Sequence, residues 1–121
     1  MGTYHNHQPF DLSFLHSITQ GDFAFERDLL QLVIRDVDDG IENLQFAWHH
    51  NDLVEIGKIT KGLKSLTALT GLHDLSARVL VIEQQLRLGS FRTNSEELLA
   101  EILAGWNAVR PALNKALASY R

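Results

Sequence analysis

Apolar residues recur along this chain three and four positions apart, the spacing of one helix face, and no segment alternates with period two for long enough to predict a strand. Asp11 to Ile18 predicts a short apolar-rich helix with Asp11 as a candidate cap, broken by Thr19-Gln20-Gly21. Asp22 caps a second predicted helix that runs to about His50, with Phe25, Leu29, Leu32, Val33, Val37, Ile41, Leu44 and Trp48 on one stripe. Gly40 lies inside it, where glycine costs stability and leaves room for a bend. Asp52 and Glu55 form a capping box with aspartate in place of the usual serine or threonine. They open a third helix that runs to about Thr70 and ends at Gly71. The fourth begins near Asp74, carries Leu75, Val79, Ile82 and Leu86, and ends at Gly89-Ser90. Thr93-Asn94-Ser95-Glu96 is a capping box for the fifth, whose stripe is Leu99, Ile102, Leu103, Trp106, Val109, Leu113, Leu117 and Tyr120. Pro111 is expected to kink or divide that helix. Four long amphipathic helices on short connections predict an all-α fold, an antiparallel four-helix bundle with the short N-terminal helix covering one end.

On the third helix, at about 100° per residue, Ile56, Ile59, Leu63 and Leu66 share one arc and form the predicted core face. Lys61 falls nearly opposite, flanked by Lys58 and Lys64. Gly57, Ser65 and Ala68 complete this outer face. Three ammonium groups therefore stand among small side chains, a low surface that another protein can approach closely. On helices in general such lysines most often serve only as a solvated face.

Composition narrows the chemistry. The 121 residues suffice for one domain with a real core, and 45% hydrophobic with 21% charged is ordinary for a soluble globular chain. Residues 1–10 are polar and unpatterned and read as a flexible leader, followed by a single domain over 11–121. With no long apolar run and no secretory pattern, no membrane association and a cytoplasmic location are expected. The absence of cysteine excludes disulfides, thiolate metal sites and a cysteine nucleophile. A net charge of −4 argues against nucleic acid as a partner.

The third-helix pattern resembles the histidine-containing phosphotransfer (HPt) domain of phosphorelays. The family motif is His-x-Leu-Lys-Gly with a further glycine ten residues after the histidine. Here Leu63 and Lys64 match, Ser65 replaces the motif glycine, Gly71 falls at the expected offset, and Lys61 occupies the histidine slot. Gly21-Asp22-x-x-Phe25 with Leu29-Leu30 is similar to the opening of the family's second helix. Asn51-Asp52 stands where the family often has Gly-Asp, and Gly71-Leu72-x-x-Leu75 leads into the fourth helix as the family does. The resemblance covers roughly residues 11–120. A rival register, with Lys61-Gly62 as the Lys-Gly pair, puts Lys58 in the slot; it places Thr60 where leucine belongs and displaces Gly71 by three residues.

The resemblance implies partners of one kind, a response-regulator receiver domain or a hybrid kinase, and either register implies lost chemistry. Phosphohistidine transfer uses an imidazole nitrogen that is partly unprotonated near neutral pH, with a reference pKa of about 6.5. An exposed lysine, at about 10.4, has almost no free lone pair. The expectation is a degenerate, non-enzymatic HPt-like module that docks a receiver without phosphotransfer as adaptor, competitor or regulator. Gly57, Lys58, Lys61, Lys64, Ser65 and Ala68 are its docking residues, and Lys61 with Lys64 supplies the charge as a non-reacting mimic of a bound cation. No catalytic residue, metal or cofactor is expected.

Two alternatives stand beside it. A structural interaction bundle, self-associating as a homo-oligomer, would use apolar residues outside the stripes, such as Phe46, Val54 and Phe91. Phosphotransfer through a displaced histidine would use His49, His50 or His73. Each of these histidines, and His16, reads first as structural; adjacent His49 and His50 point about 100° apart and make a poor chelate. His5-Asn6-His7 spells a nuclease motif by coincidence, and no Glu-x-x-His supports a di-iron site. The carboxylate run Asp36, Asp38, Asp39 and Glu42 reads as a solvated face.

Overall fold

The computed structural model describes residues 9–93 and 96–120, and they form five helices. These are α1 (Ser13–Thr19), α2 (Phe23–His49), α3 (Leu53–Leu69), α4 (His73–Leu88) and α5 (Glu96–Ala118). Helices α2 to α5 close a four-helix ring in which α3 packs between α2 and α4, and α5 completes the circuit. Helix α1 lies against α2. The predicted all-α bundle with a short N-terminal helix is the observed fold. Among the described residues no helix is long and apolar enough to cross a membrane. Residues 1–8 of the expected leader lie outside the described residues, and Phe10 packs against the core. Asn94 and Ser95, in the capping box expected for α5, also lie outside them.

Two caps follow the sequence signals, whereas α1 has Leu12 and not Asp11 at its N-cap, with the Asp11 carboxylate accepting from the Ser13 N–H at 2.9 Å instead. Asp22 accepts from the Phe25 N–H at 3.0 Å and Asp52 from the Glu55 N–H at 3.1 Å. Helix α4 ends at Gly89 in the left-handed conformation, φ 73°. Gly71 does more than stop α3. Its φ is +61°, and a Cβ there would lie 2.4 Å from the Asp11 carbonyl oxygen. The chain entering α1 crosses the α3–α4 turn at this point, tied by Asp11 N–H donating to the Thr70 carbonyl at 3.2 Å.

Two glycine and proline expectations resolve differently. Gly40 sits where α2 and α3 press together; a Cβ would come within 2.9 Å of Leu63 Cδ2, so the glycine makes room for a buried leucine. Pro111 does not divide α5, which runs unbroken through it. It lies on the exposed side with Asn107, where water can satisfy the carbonyl that a proline leaves unpaired.

The core faces are rotated slightly from the sequence reading. On α2, Phe25 and Leu32 are exposed, and Leu30 and Ile34 take the core positions beside Val33, Val37, Ile41, Leu44 and Trp48. On α3, Ile56 and Leu63 are buried as expected, Ile59 and Leu66 are half-buried, and Thr60 and Thr67 complete the inner face. Threonines survive there because each hydroxyl donates back to its own helix, Thr60 to the Gly57 carbonyl at 3.0 Å and Thr67 to the Lys64 carbonyl at 3.1 Å. Phe91 is core rather than surface. It meets Trp48 edge to face at 4.9 Å, and Trp48 Nε1 donates to the Thr93 carbonyl at 2.8 Å.

Candidate functional site

Burial of Ile56, Thr60, Leu63 and Thr67 fixes the rotation of α3 and thereby its outer face. Lys58, Lys61, Lys64, Ser65 and Ala68 are exposed on it. Gly57 departs from the expectation: it is half-buried toward α4, where a Cβ would meet Leu86 Cδ1 at 3.8 Å. Lys58 turns the other way. It lines a groove of about 220 Å³ between α2 and α3 with Asp36, Asp39 and Asn43, floored by Gly40, Ile59, Gly62, Leu63 and Leu66.

The three lysines are not equivalent. Lys64 Nζ donates to both oxygens of Glu83 on α4, at 3.1 and 2.9 Å. That hydrogen bond holds the Glu83 carboxyl below its ordinary range, against the opposing pull of burial, with the charges of Lys64, Arg87 and Lys61 assisting. Lys61 adds to the field at Glu83 but makes no ion pair among the described residues, and neither does Lys58. The positive charge available to a partner on this face is therefore carried by Lys58 and Lys61, one helical turn apart, with Lys64 already engaged.

The remaining sequence candidates sit elsewhere. His49 closes α2 and is exposed. His50 stacks on Phe46 at 4.1 Å and its Nδ1 lies 2.8 Å from the Phe46 carbonyl oxygen. His73 opens α4. None lies on the α3 face.

The acidic run is only partly a solvated face. Asp38 is half-buried and accepts from Trp106 Nε1 at 2.7 Å, while Arg110 Nη2 lies 2.8 Å from its other oxygen. It fastens α2 to α5. Sequence reasoning also missed Glu26, which is buried among three partners, His16 and Thr19 from α1 and Tyr120 beyond α5. A signal was present: Glu26 stands four residues before Leu30 and seven before Val33, a core position of the α2 stripe.

No family model matches the sequence, and no curated protein matches it. Solved structures do. Histidine-containing phosphotransfer protein B (HptB) from Pseudomonas aeruginosa PAO1 superposes with a TM-score of 0.82 at 17% identity, over 95% of this chain and 99% of that one. This chain has the HPt fold. The HPt domain of the Hpt sensor hybrid histidine kinase from Shewanella gives 0.75 at 15% identity, over 91% and 94% of the two chains. Both match nearly their whole length, so the likeness includes the helix that covers the end of the bundle as well as the four-helix ring.

Proposed function

We propose that this HPt-fold chain is a phosphorelay module that docks the receiver domain of a response regulator or hybrid kinase through the outer face of α3, without accepting phosphate at that face. The observation that carries the reading is Lys61, exposed, without an ion partner among the described residues, and ten residues before Gly71. In the HPt motif that position belongs to the phosphoacceptor. A lysine there presents a permanent cation instead of a nucleophile, and the acidic phosphoacceptor pocket of a receiver is the complementary surface.

Lys58 shares the charge on the same face, and exposed Ser65 and Ala68 keep that face low enough for close approach. The module then acts by occupying a receiver, as adaptor, competitor or regulator, and is not an enzyme. The test is an NMR titration of the labelled chain with receiver domains from the same genome, phosphorylated and not. Saturable shifts centred on 57–68, without phosphate transfer, support the reading. Absence of shifts with every receiver, together with a mass that rises with concentration, would replace it by self-association, for which exposed Phe46 and Val54 are the candidate surface.

A further inference from the structure

A cleft of about 520 Å³ opens where the chain entering α1 meets the start of α4 and the residue Tyr120 beyond α5. Two carboxylates, Asp11 and Glu26, stand in its walls, and no lysine or arginine lines it. Glu26 is 1% exposed and engaged on both oxygens. The Thr19 hydroxyl donates to Oε1 at 2.8 Å, the Tyr120 hydroxyl donates to Oε2, and His16 Nδ1 lies 2.7 and 2.8 Å from the two oxygens. Burial raises the Glu26 carboxyl, but the hydrogen bonds from Tyr120, Thr19 and His16 outweigh it and hold the carboxyl below its ordinary range. The group is therefore a buried negative charge. The carboxylates enclosed elsewhere between helices are each matched by a fixed cation, Glu83 by Lys64 and Asp38 by Arg110. Glu26 has two hydroxyls and an imidazole instead, so negative charge is left over at the cleft.

The groups left open there are acceptors. An ionised carboxylate only accepts, so Nδ1 of a neutral His16 carries the ring proton and Nε2 keeps its lone pair. The His16 side chain is 65% exposed, and no described residue bonds to Nε2. Asp11 takes the Ser13 hydroxyl and N–H on Oδ1, at 2.5 and 2.9 Å, and these bonds hold its carboxyl below the ordinary range. Asp11 Oδ2 has no hydrogen-bond partner among the described residues. Beside these acceptors the walls are apolar, formed by Phe10, Leu12 and the Tyr120 ring. A metal ion does not fit the donor set, because no three His, Asp or Glu side chains among the described residues converge to hold one.

We propose that this cleft binds a small organic primary ammonium, with the cation donating to Asp11 Oδ2 and His16 Nε2 and its apolar body lying against Phe10, Leu12 and the Tyr120 ring. An ammonium brings three donors and no acceptor, the inverse of what the cleft leaves open. Its charge answers that of the buried Glu26, and the faces of Phe10 and Tyr120 favour a cation further. A cleft walled by one sign of charge also concentrates counter-ions. Its volume lies within the range of small-molecule sites. The site is separate from Lys61 and stands whether or not receivers dock on α3.

The experiment titrates the labelled full chain with 2-phenylethylamine and follows backbone amide shifts at about pH 8. An ordinary imidazole, with a reference value of about 6.5, is neutral there, and a primary amine, at about 10.4, is charged. Saturable shifts are expected at residues 10–16, at His73 and at Tyr120. The neutral isostere 2-phenylethanol should bind at least about tenfold more weakly, the worth of a charge-assisted hydrogen bond, and 3-phenylpropanoate should not saturate. Asp11→Asn keeps an oxygen for Ser13 while removing the charge, and should weaken the amine at least about threefold without moving the alcohol, a split that mere loosening of α1 would not give. Nα-acetyl-lysine amide carries the same ammonium without the aromatic body and should bind more weakly than 2-phenylethylamine. The reverse order would assign the cleft to a lysine of a protein partner and overturn the proposal. So would equal affinity for amine and alcohol, saturation by the carboxylate, or amine shifts centred away from the cleft.

Discussion

Lys64 crosses from α3 to α4 and grips both carboxylate oxygens of Glu83, at 2.9 and 3.1 Å, while Lys61, one turn earlier, makes no ion pair among the described residues. The two lysines look alike in sequence and differ in what they can offer a partner. Lys64 would first have to leave Glu83, which is only 23% exposed and would be left with a charge to resolvate. Lys61 and Lys58 carry no such obligation.

Receiver docking should therefore separate the two. Lys61→Glu is expected to weaken receiver affinity at least about tenfold, about 1.4 kcal/mol. Lys64→Ala is expected to change it by less than about threefold and to cost under about 1 kcal/mol of stability, the range of a solvent-screened pair. Calorimetric titration with the receiver and urea melts of both variants check this. A loss on Lys64→Ala as large as on Lys61→Glu would overturn the assignment.

Two glycines of α3 and its exit should respond in opposite directions. Gly71→Ala forces a Cβ into left-handed backbone and to within 2.4 Å of the Asp11 carbonyl, so a loss of about 2 kcal/mol or more is expected. Gly62→Ala meets nothing within 4 Å and sits inside a helix, so a gain of about 0.5–1 kcal/mol is expected. Urea denaturation of the two variants measures both.

The helix count, the caps at Asp22 and Asp52 and the outward phase of Lys61 were legible because each rests on local spacing or a local hydrogen bond. What was illegible depends on how the helices rotate against one another. Leu30 and Ile34 displaced Phe25 and Leu32 from the core, and Thr60 and Thr67 entered it because their hydroxyls bond back to α3. The engagement of Lys64 could not be read because Glu83 lies nineteen residues away on another helix. The same holds for Glu26, whose donors come from α1 and from the end of the chain.

Acid and alkali should loosen the same buried knot from opposite sides. The folded Glu26 carboxyl lies below its ordinary value, so its stabilisation is complete above the unfolded value of about 4.3 and is lost as pH falls through the folded value. Tyr120 is pushed up to about 12, chiefly by burial and then by the Glu26 carboxylate. Its contribution is complete below the unfolded value of about 10 and is lost as pH rises from there through about 12. In a Tyr4→Phe background, absorbance titration should place the remaining phenol near the upper value, and adding Glu26→Gln should bring it down. An ordinary midpoint for Tyr120 would contradict the buried contact.

Asp38 should behave unlike its neighbours in the acidic run. Asp38→Ala strips the acceptor from Trp106 Nε1 and the partner from Arg110, and a loss of about 1–2 kcal/mol is expected. Asp39→Ala removes an exposed carboxylate and should stay within about 0.5 kcal/mol of the parent. Thermal unfolding followed by tryptophan fluorescence reports both, since Trp106 is itself one of the partners.

Restoring an imidazole at the outer face of α3 tests the assignment of the slot. Lys61→His places a group with a reference pKa of about 6.5 on a surface already exposed, so a partly unprotonated nitrogen becomes available at neutral pH. Lys64 at the following turn and the small side chains of Ser65 and Ala68 are unchanged by the substitution. Phosphorylated receiver mixed with Lys61→His should therefore label the variant on that histidine, with no label on α3 in the parent. Lys58→His is the control for register, because it sets the imidazole into the groove beside Asp36 and Asp39, whose carboxylates repel an incoming phosphoryl group. Labelling of Lys58→His without labelling of Lys61→His would move the slot by three residues. Labelling of neither by a receiver that binds would mean that the module lost more than its acceptor atom.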